Sequence, residues 1–337
     1  MNEQFRVAQK LGLMFRPETF LPDDLKAWAI SQLQAKSPAL GISQLGARVE
    51  QWPLSLQPDL MERDTMFANW FQRNKIGNAS NASNAERQAN REENLMDEKD
   101  ELKFSHRNVY GKDQVRLRFT AFWANHFTTG NTHDNINHIG HAIDEAILAN
   151  LNGDFSHMLY KMTSHPSMLI YLDNIYSAGP NSNAVEWSKS KGEQAGLNDN
   201  LGRELLELHT VSPSAKYTED DIRNAAKVLA GWGVFPGMLW GNNKITLKQK
   251  HAKLIQMAGT TNTWDFFKPS FAEPGTKTIM GKDITANSRQ ELKGGLRNLT
   301  DFLASHEHTI NHISFKLAQH FVSDSPSQSD IDYIANA

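Results

Sequence analysis

Apolar residues recur at helical spacing along most of the chain, and this pattern predicts a mainly α, multi-helix globular fold. The clearest segment, QVRLRFTAFWANHF (114–127), places its apolar residues and His126 on one helical face. The same spacing predicts helices in segments 4–35 (broken between Pro17 and Pro22), 155–174, 197–232 and 289–322. Around 234–284 the pattern changes, and ITLKQ and TKTIM predict short strands in a small irregular or β segment.

Polar composition divides the chain into three predicted parts. Residues 1–73 carry the N-terminal helices, and residues 104–337 form the main helical domain. Between them, residues 74–103 are rich in Asn, Ser and charge, which predicts an exposed insertion that is disordered at its start, with a helix as an option towards its end. The sequence stops at DYIANA without a terminal cap, so we expect the domain to be truncated at its C-terminal end.

The segment 197–232 predicts two amphipathic helices joined by a short turn. On the first helix Leu201, Leu205 and Leu208 form the apolar stripe. The opposite arc is polar and consists of Asn200, Arg203, Glu204 and Glu207. Side chains three or four positions apart on a helix meet on one surface, so Arg203 is expected to pair with Glu207.

Two interpretations of this polar arc remain open. It is either a solvated helix face with one internal ion pair, or a buried face that lines a cavity. In the second case Glu204 and Glu207 can hold different protonation states, as an acid/base pair requires. His209 lies on the far side of the helix, near its end, where the helix dipole favours a protonated imidazole.

The other histidines also have two interpretations. His126 is either a core residue or a group that faces a cavity beside Asn125. His138 and His141 share a face with Glu145, which suits a metal pair, although exposed helix surface is the favoured interpretation. In the segment 155–174, Ser164 or His165 is expected to cap the second helix, with Pro166 in its first turn.

Composition excludes several classes of protein. The 337 residues carry a net charge of -3, which gives no electrostatic case for nucleic acid binding. The absence of cysteine excludes disulfides, iron–sulfur clusters and a cysteine nucleophile. The sequence contains no GxSxG, Walker or GxGxxG motif, no signal peptide and no apolar run long enough to span a bilayer. From the chain as given, we expect a cytoplasmic protein.

Six stretches resemble one known family. They are AFWANHF, SHPSMLIYLDNIYSAGPNS, LNDNLGRELLELHTV, YTEDDIRNAAKVLAGW, EPGTKTIMG and FKLAQHFVSDSP. In this order they are similar to the bacterial family catalogued as domain of unknown function 1800, over roughly residues 6 to 330. The resemblance implies export to the periplasm or the cell exterior and a co-encoded, exported sulfatase-like partner. It implies no established reaction.

The resemblance also singles out a set of polar residues. At the positions of the family's characteristic polar residues this chain has Arg118, Asn125, His126, His165, Asp173, Asn174, Asn198, Asn200, Arg203, Glu204, Glu207 and His209. We assign catalytic roles to Arg203, Glu204, Glu207, His165 and His209, and substrate binding to the others. The chain departs from the family pattern at Asp199, where glutamate is usual, and at Ala272, where histidine is usual. It also lacks the export signal and the C-terminal helices that the resemblance leads us to expect.

Three functions remain open. The first is a metal-dependent or acid/base hydrolase that acts on an extracytoplasmic polymer or ester, with a divalent metal as its candidate cofactor. The second is a non-catalytic binding or assembly partner of the neighbouring exported protein. The third, weaker hypothesis is haem or another cofactor bound through the aromatic-flanked His126.

Overall fold

The computed structural model confirms the mainly α fold with a small two-stranded sheet. It describes residues 3–12, 23–34, 58–60, 62–63, 83–85, 95–111, 113–131, 135, 137–193, 195–234 and 266–337. The predicted strand ITLKQ and most of the predicted insertion lie outside these residues.

The chain divides into two compact units. Unit 1 comprises Met1–Thr128, Ile136–Gly153 and Gln319–Asp324, and unit 2 comprises Thr129–Asn135, Asp154–Ala318 and Ser325–Ala337.

Unit 1 contains helices in both segments, 4–35 and 114–127, whose apolar spacing predicts them. The helices of this unit are α1 (Glu3–Leu11), α2 (Leu25–Gln34), α3 (Leu95–Tyr110), α4 (Gln114–His126) and α5 (Ile139–His141), which continues as a π-helix (Ala142–Ile147) and a 3-10 helix (Leu148–Asn150). The Asp24 carboxylate accepts a hydrogen bond from the Ala27 N–H at 2.8 Å, as an N-terminal cap does. Buried apolar side chains such as Val115 and Phe122 of α4 and Ile147 of the π-helix contribute to the core of this unit.

Unit 1 also contains a buried network of charges. Arg63 is 1% exposed and donates to both oxygens of Asp100, at 2.6 and 3.0 Å. Lys103 lies 3.3 Å from Asp100 and 2.5 Å from Asp144, and Arg107 also pairs with Asp144. Burial alone would raise the pKa of Asp144, but the charges of Arg107 and Lys103 outweigh burial and hold that pKa below its usual value.

This network corrects the prediction of solvent exposure for the end of segment 74–103. The end of that segment belongs to α3, and its Asp100 and Lys103 are buried. A charge-rich segment suggests solvent exposure, but here Asp100 and Lys103 each have a partner far along the chain. Arg63 lies 37 residues before Asp100, and Asp144 lies 41 residues after Lys103.

Unit 2 contains helices and a short β-hairpin. The helices are α6 (Phe155–Thr163), α7 (Pro166–Tyr171), α8 (Asn183–Ser190), α9 (Asn200–Glu207), α10 (Glu219–Leu229), α11 (Arg289–Ala304), α12 (Glu307–Phe321, whose last residues belong to unit 1) and α13 (Gln328–Ala335). Single 3-10 turns occur at Asn174–Tyr176, Pro213–Ala215 and Pro269–Phe271.

The hairpin pairs β1 (Gly275–Ile279) with antiparallel β2 (Lys282–Ala286), which confirms the strand predicted from TKTIM. Ile279 opposes Lys282, so the connecting turn consists of Met280 and Gly281, both at positive φ. Ile279 and Ile284 are buried, and the sheet packs on α10 and α11.

Candidate functional site

Helix α9 presents its polar arc because its other face is packed on α10. Leu201, Leu205 and Gly202 are buried there. A Cβ atom on Gly202 would lie 2.8 Å from the Ala226 backbone nitrogen, so the glycine permits this close approach of the two helices. Helix α10 begins with the predicted capping box between Thr218 and Asp221. The predicted hairpin of helices is therefore confirmed.

Arg203 has a different partner from the one predicted. Its guanidinium donates to both carboxylate oxygens of Glu219, at 3.0 and 2.9 Å, and lies 3.6 Å from Asp199. The expected ion pair with Glu207 does not form. Glu219 is the first residue of α10. Its carboxylate forms a bidentate ion pair with the guanidinium, and this pair is stronger than a single contact between side chains of one helix.

Glu204 and Glu207 lie half-buried on the same face of α9. Burial raises the pKa of Glu204, the negative charge of Glu207 raises it further, and Arg203 opposes both effects. Among the described residues, none donates a hydrogen bond to the Glu204 carboxylate. Glu207 differs, because its Oε2 atom accepts a hydrogen bond from the Tyr217 hydroxyl at 3.5 Å.

Tyr217 is a member of this site that the sequence did not reveal. Burial raises the pKa of its hydroxyl, and the charge of Glu207 raises it as well, so the hydroxyl remains a hydrogen-bond donor. It lies ten residues beyond Glu207, across the turn between α9 and α10, and no helical spacing connects the two. The available signal for including Tyr217 in the site was its position two residues before Glu219, in YTEDD.

His209 lies apart from the carboxylates, as its position on the helical wheel predicts. It is buried, and burial followed by the charge of Lys316 lowers the pKa of His209 to about 3. The imidazole is therefore neutral near pH 7, which corrects the expected protonated form. Nearby, His312 of α12 donates a hydrogen bond to the Leu208 carbonyl and braces the end of α9.

His165 caps helix α7. Its side chain is 0% exposed, and its Nδ1 atom accepts a hydrogen bond from the Ser167 N–H at 3.0 Å. Pro166 occupies the first turn, as predicted. The cap gives His165 a structural role in positioning this helix.

Asn174 and Asp173 occupy contrasting environments. Asn174 is 1% exposed, and its side-chain amide donates to the carbonyls of Leu229 and Trp232 at 3.1 and 2.9 Å. It thereby fixes the end of α10. Asp173 is exposed at φ 56°, in the left-handed region, directly before a 3-10 turn.

Asn198 and Asn200 stand at the start of α9. The Asn198 side-chain oxygen accepts from the Asn200 N–H at 2.9 Å, which closes a short turn ahead of the helix. Asn198 is half-buried, and Asn200 is exposed.

Helix α4 of unit 1 carries three of the predicted site residues, Arg118, Asn125 and His126. His126 is buried among the rings of Phe122, Trp123 and Phe127, with ring centroids 4.6 to 6.4 Å away. This environment is that of a core histidine. Asn125 is exposed, and Arg118 is half-buried.

The comparisons with known proteins give one match. The family described as Protein of unknown function (DUF1800) matches residues 6–337. The chain belongs to this family. No curated protein and no solved structure matches the chain.

Two features of this DUF1800 chain bear on metal binding. Within the described residues, no group of three or more His, Asp or Glu side chains is arranged to hold a metal ion. His138 and His141 are buried rather than exposed, and burial followed by the charge of Arg63 lowers the pKa of His141 to about 3.

A helix that crosses a bilayer must be both long and apolar. No helix in the described part of the chain has the length and the apolar character that crossing a membrane requires.

Proposed function

We propose that unit 2 carries an acid–base hydrolytic site on the polar face of α9. The observation that carries the proposal is the unequal pair of carboxylates. Glu204 has a raised pKa, while its neighbour Glu207 accepts a hydrogen bond from Tyr217. Two carboxyl groups in different environments are the arrangement that divides acid and base roles in hydrolases.

In this proposal Glu204 is the general acid and Glu207 the general base. Protonated Glu204 gives its proton to the leaving oxygen of an ester or a polymer linkage, and Glu207 takes a proton from the attacking water. The ion pair with Glu219 holds Arg203 beside the two glutamates. The Nε–H of Arg203 remains available to a substrate oxygen. The family resemblance favours an extracytoplasmic substrate. The acid–base form is preferred to the metal-dependent form because the described residues lack a ligand cluster.

Replacing either glutamate with glutamine is expected to reduce turnover roughly 100-fold or more, because each proton transfer contributes about that factor. The assay is hydrolysis of a panel of chromogenic glycosides and carboxylic esters. Glu186→Gln, an exposed glutamate of α8, is the matched control and should retain full activity. Activity should fall as the pH rises through the pKa of Glu204, because Glu204 must be protonated.

A carboxyl NMR titration tests the arrangement without any substrate. The pKa of Glu204 should be lower in Glu207→Gln than in the wild type, because the neighbouring negative charge is removed. An unchanged pKa of Glu204 would show that the two carboxylates act independently, and the proposed division of roles would then be lost.

A second candidate function is assembly with a partner, such as the co-encoded exported sulfatase-like protein. The observation that favours it is the exposure of large apolar side chains in unit 2, including Trp187 at 60% and Leu208 at 51%. Exposed aromatic residues are frequent anchors of protein interfaces. Trp187→Ala should weaken capture of that partner in a pull-down by about tenfold or more, whereas Glu204→Gln should leave it unchanged. The reverse result would contradict the assembly role.

A further inference from the structure

Lys268 differs in its partners from the buried cations of unit 1. Arg63, Lys103 and Arg107 each pair with a carboxylate. Within the described residues no carboxylate pairs with Lys268, whose ammonium donates only to the Ile175 carbonyl, at 2.8 Å. An ammonium group taken out of water without a counter-charge is stabilised poorly.

The Lys268 amine packs against an aromatic ring and a glycine. Its Nζ atom lies 4.4 Å from the centre of the Phe271 ring. Its side chain crosses Gly233, where a Cβ atom would lie 2.8 Å from Cε and 3.0 Å from Nζ. The residue is nevertheless only half-buried, so part of it remains in contact with solvent. In agreement with this position, burial lowers the pKa of Lys268 to about 8.

Two further buried polar atoms lie in the turns that meet at Lys268. Asn174 Oδ1 and Trp232 Nε1 have no hydrogen-bond partner among the described residues. The Lys268 backbone N–H donates to the Gly231 carbonyl at 2.7 Å, which joins its own turn to the one that carries Trp232. Buried polar atoms without protein partners are uncommon and often mark places where a small polar molecule binds.

We propose that Lys268 is a covalent carbonyl-binding site, whose amine condenses with a small uncharged aldehyde or ketone. An uncharged ligand fits because a ring, a glycine and a backbone carbonyl surround the amine. The neutral nitrogen attacks the carbonyl carbon and forms a carbon–nitrogen bond. The carbon–oxygen bond then breaks, and the oxygen leaves as water with both amine protons, which gives an imine. This reaction is independent of the α9 carboxylates.

The test is reductive labelling of the whole chain with propanal and cyanoborohydride at pH 7.5, followed by peptide mass mapping. An amine with a pKa of about 8 is about one quarter neutral at this pH, whereas an ordinary lysine is about 0.1% neutral. Allowing for the lower nucleophilicity that accompanies a lower pKa, Lys268 should be labelled about tenfold faster than an ordinary lysine. Lys191 is the matched control, because it is exposed but also lies near an aromatic ring, 6.0 Å from Trp187.

Lys268→Arg should remove the fast-labelled peptide while it keeps a donor for the Ile175 carbonyl and hence the fold, which circular dichroism verifies. Equal labelling rates for Lys268 and Lys191 would overturn the proposal and leave Lys268 as a structural clip. Fast labelling that persists in the same peptide of Lys268→Arg would overturn it as well.

Discussion

Asp144→Asn is expected to lower the free energy of unfolding by about 3–5 kcal/mol, the usual cost of breaking a buried ion pair from one side. Asp144 accepts from Lys103 and Arg107, which are both buried. Its loss leaves Lys103 with Asp100, and leaves Arg107 without a carboxylate partner among the described residues. Chemical denaturation at pH 7 measures the difference.

Asp301→Asn is the matched control for this variant. It removes the same chemical group from an Arg–Asp pair, but Arg297 and Asp301 are 38% and 47% exposed. An exposed pair of this kind contributes about 0–1 kcal/mol. If Asp144→Asn and Asp301→Asn lower the free energy of unfolding equally, the buried ion pairs contribute no more to stability than an exposed pair.

The effect of Asp144 should also depend on pH. The pKa of Asp144 is lower in the folded protein, so its stabilising contribution is complete above its unfolded pKa of about 4. That contribution is lost as the pH falls through the folded value. The difference in free energy of unfolding between wild type and Asp144→Asn should therefore become smaller in acid. A difference that stays constant from neutral pH into that range would contradict the lowered pKa of Asp144.

Asn174→Ala is expected to cost about 2–4 kcal/mol, since it leaves the buried carbonyls of Leu229 and Trp232 without their donor. Asp173→Asn next to it should change stability by less than about 0.5 kcal/mol, because the side chain is exposed and Asn tolerates positive φ. Thermal unfolding of both variants makes the comparison. A fully stable Asn174→Ala protein that has lost ligand binding would instead support the substrate-binding role predicted for Asn174.

Local sequence patterns predicted the framework of unit 2 well. The Thr218–Asp221 capping box, the buried stripe of α10 and the Pro166 turn all depend on residues within a few positions of one another. The strand at TKTIM follows from the same kind of local alternation. Such features are fixed by short-range geometry, and the folded chain retains them.

Pairings across longer separations were not predictable in the same way. Helical spacing favoured Glu207 as the partner of Arg203, but the fold brings Glu219 to it from the next helix. Spacing placed Glu204 and Glu207 together, yet it gave no sign of the contact with Tyr217. Likewise, Asp100 and Lys103 of α3 are buried because groups from distant segments pair with them.

The π-helix Ala142–Ile147 limits how this part of unit 1 can vary in length. Its hydrogen bonds span one residue more than those of an α-helix. Deleting one residue there would restore an α-helical turn and rotate the flanking side chains by about 100° relative to one another. Surface loops commonly absorb such a deletion, but here it would turn Asp144 away from Lys103 and Arg107. In related sequences, insertions and deletions should therefore be rarer in this turn than amino-acid replacements.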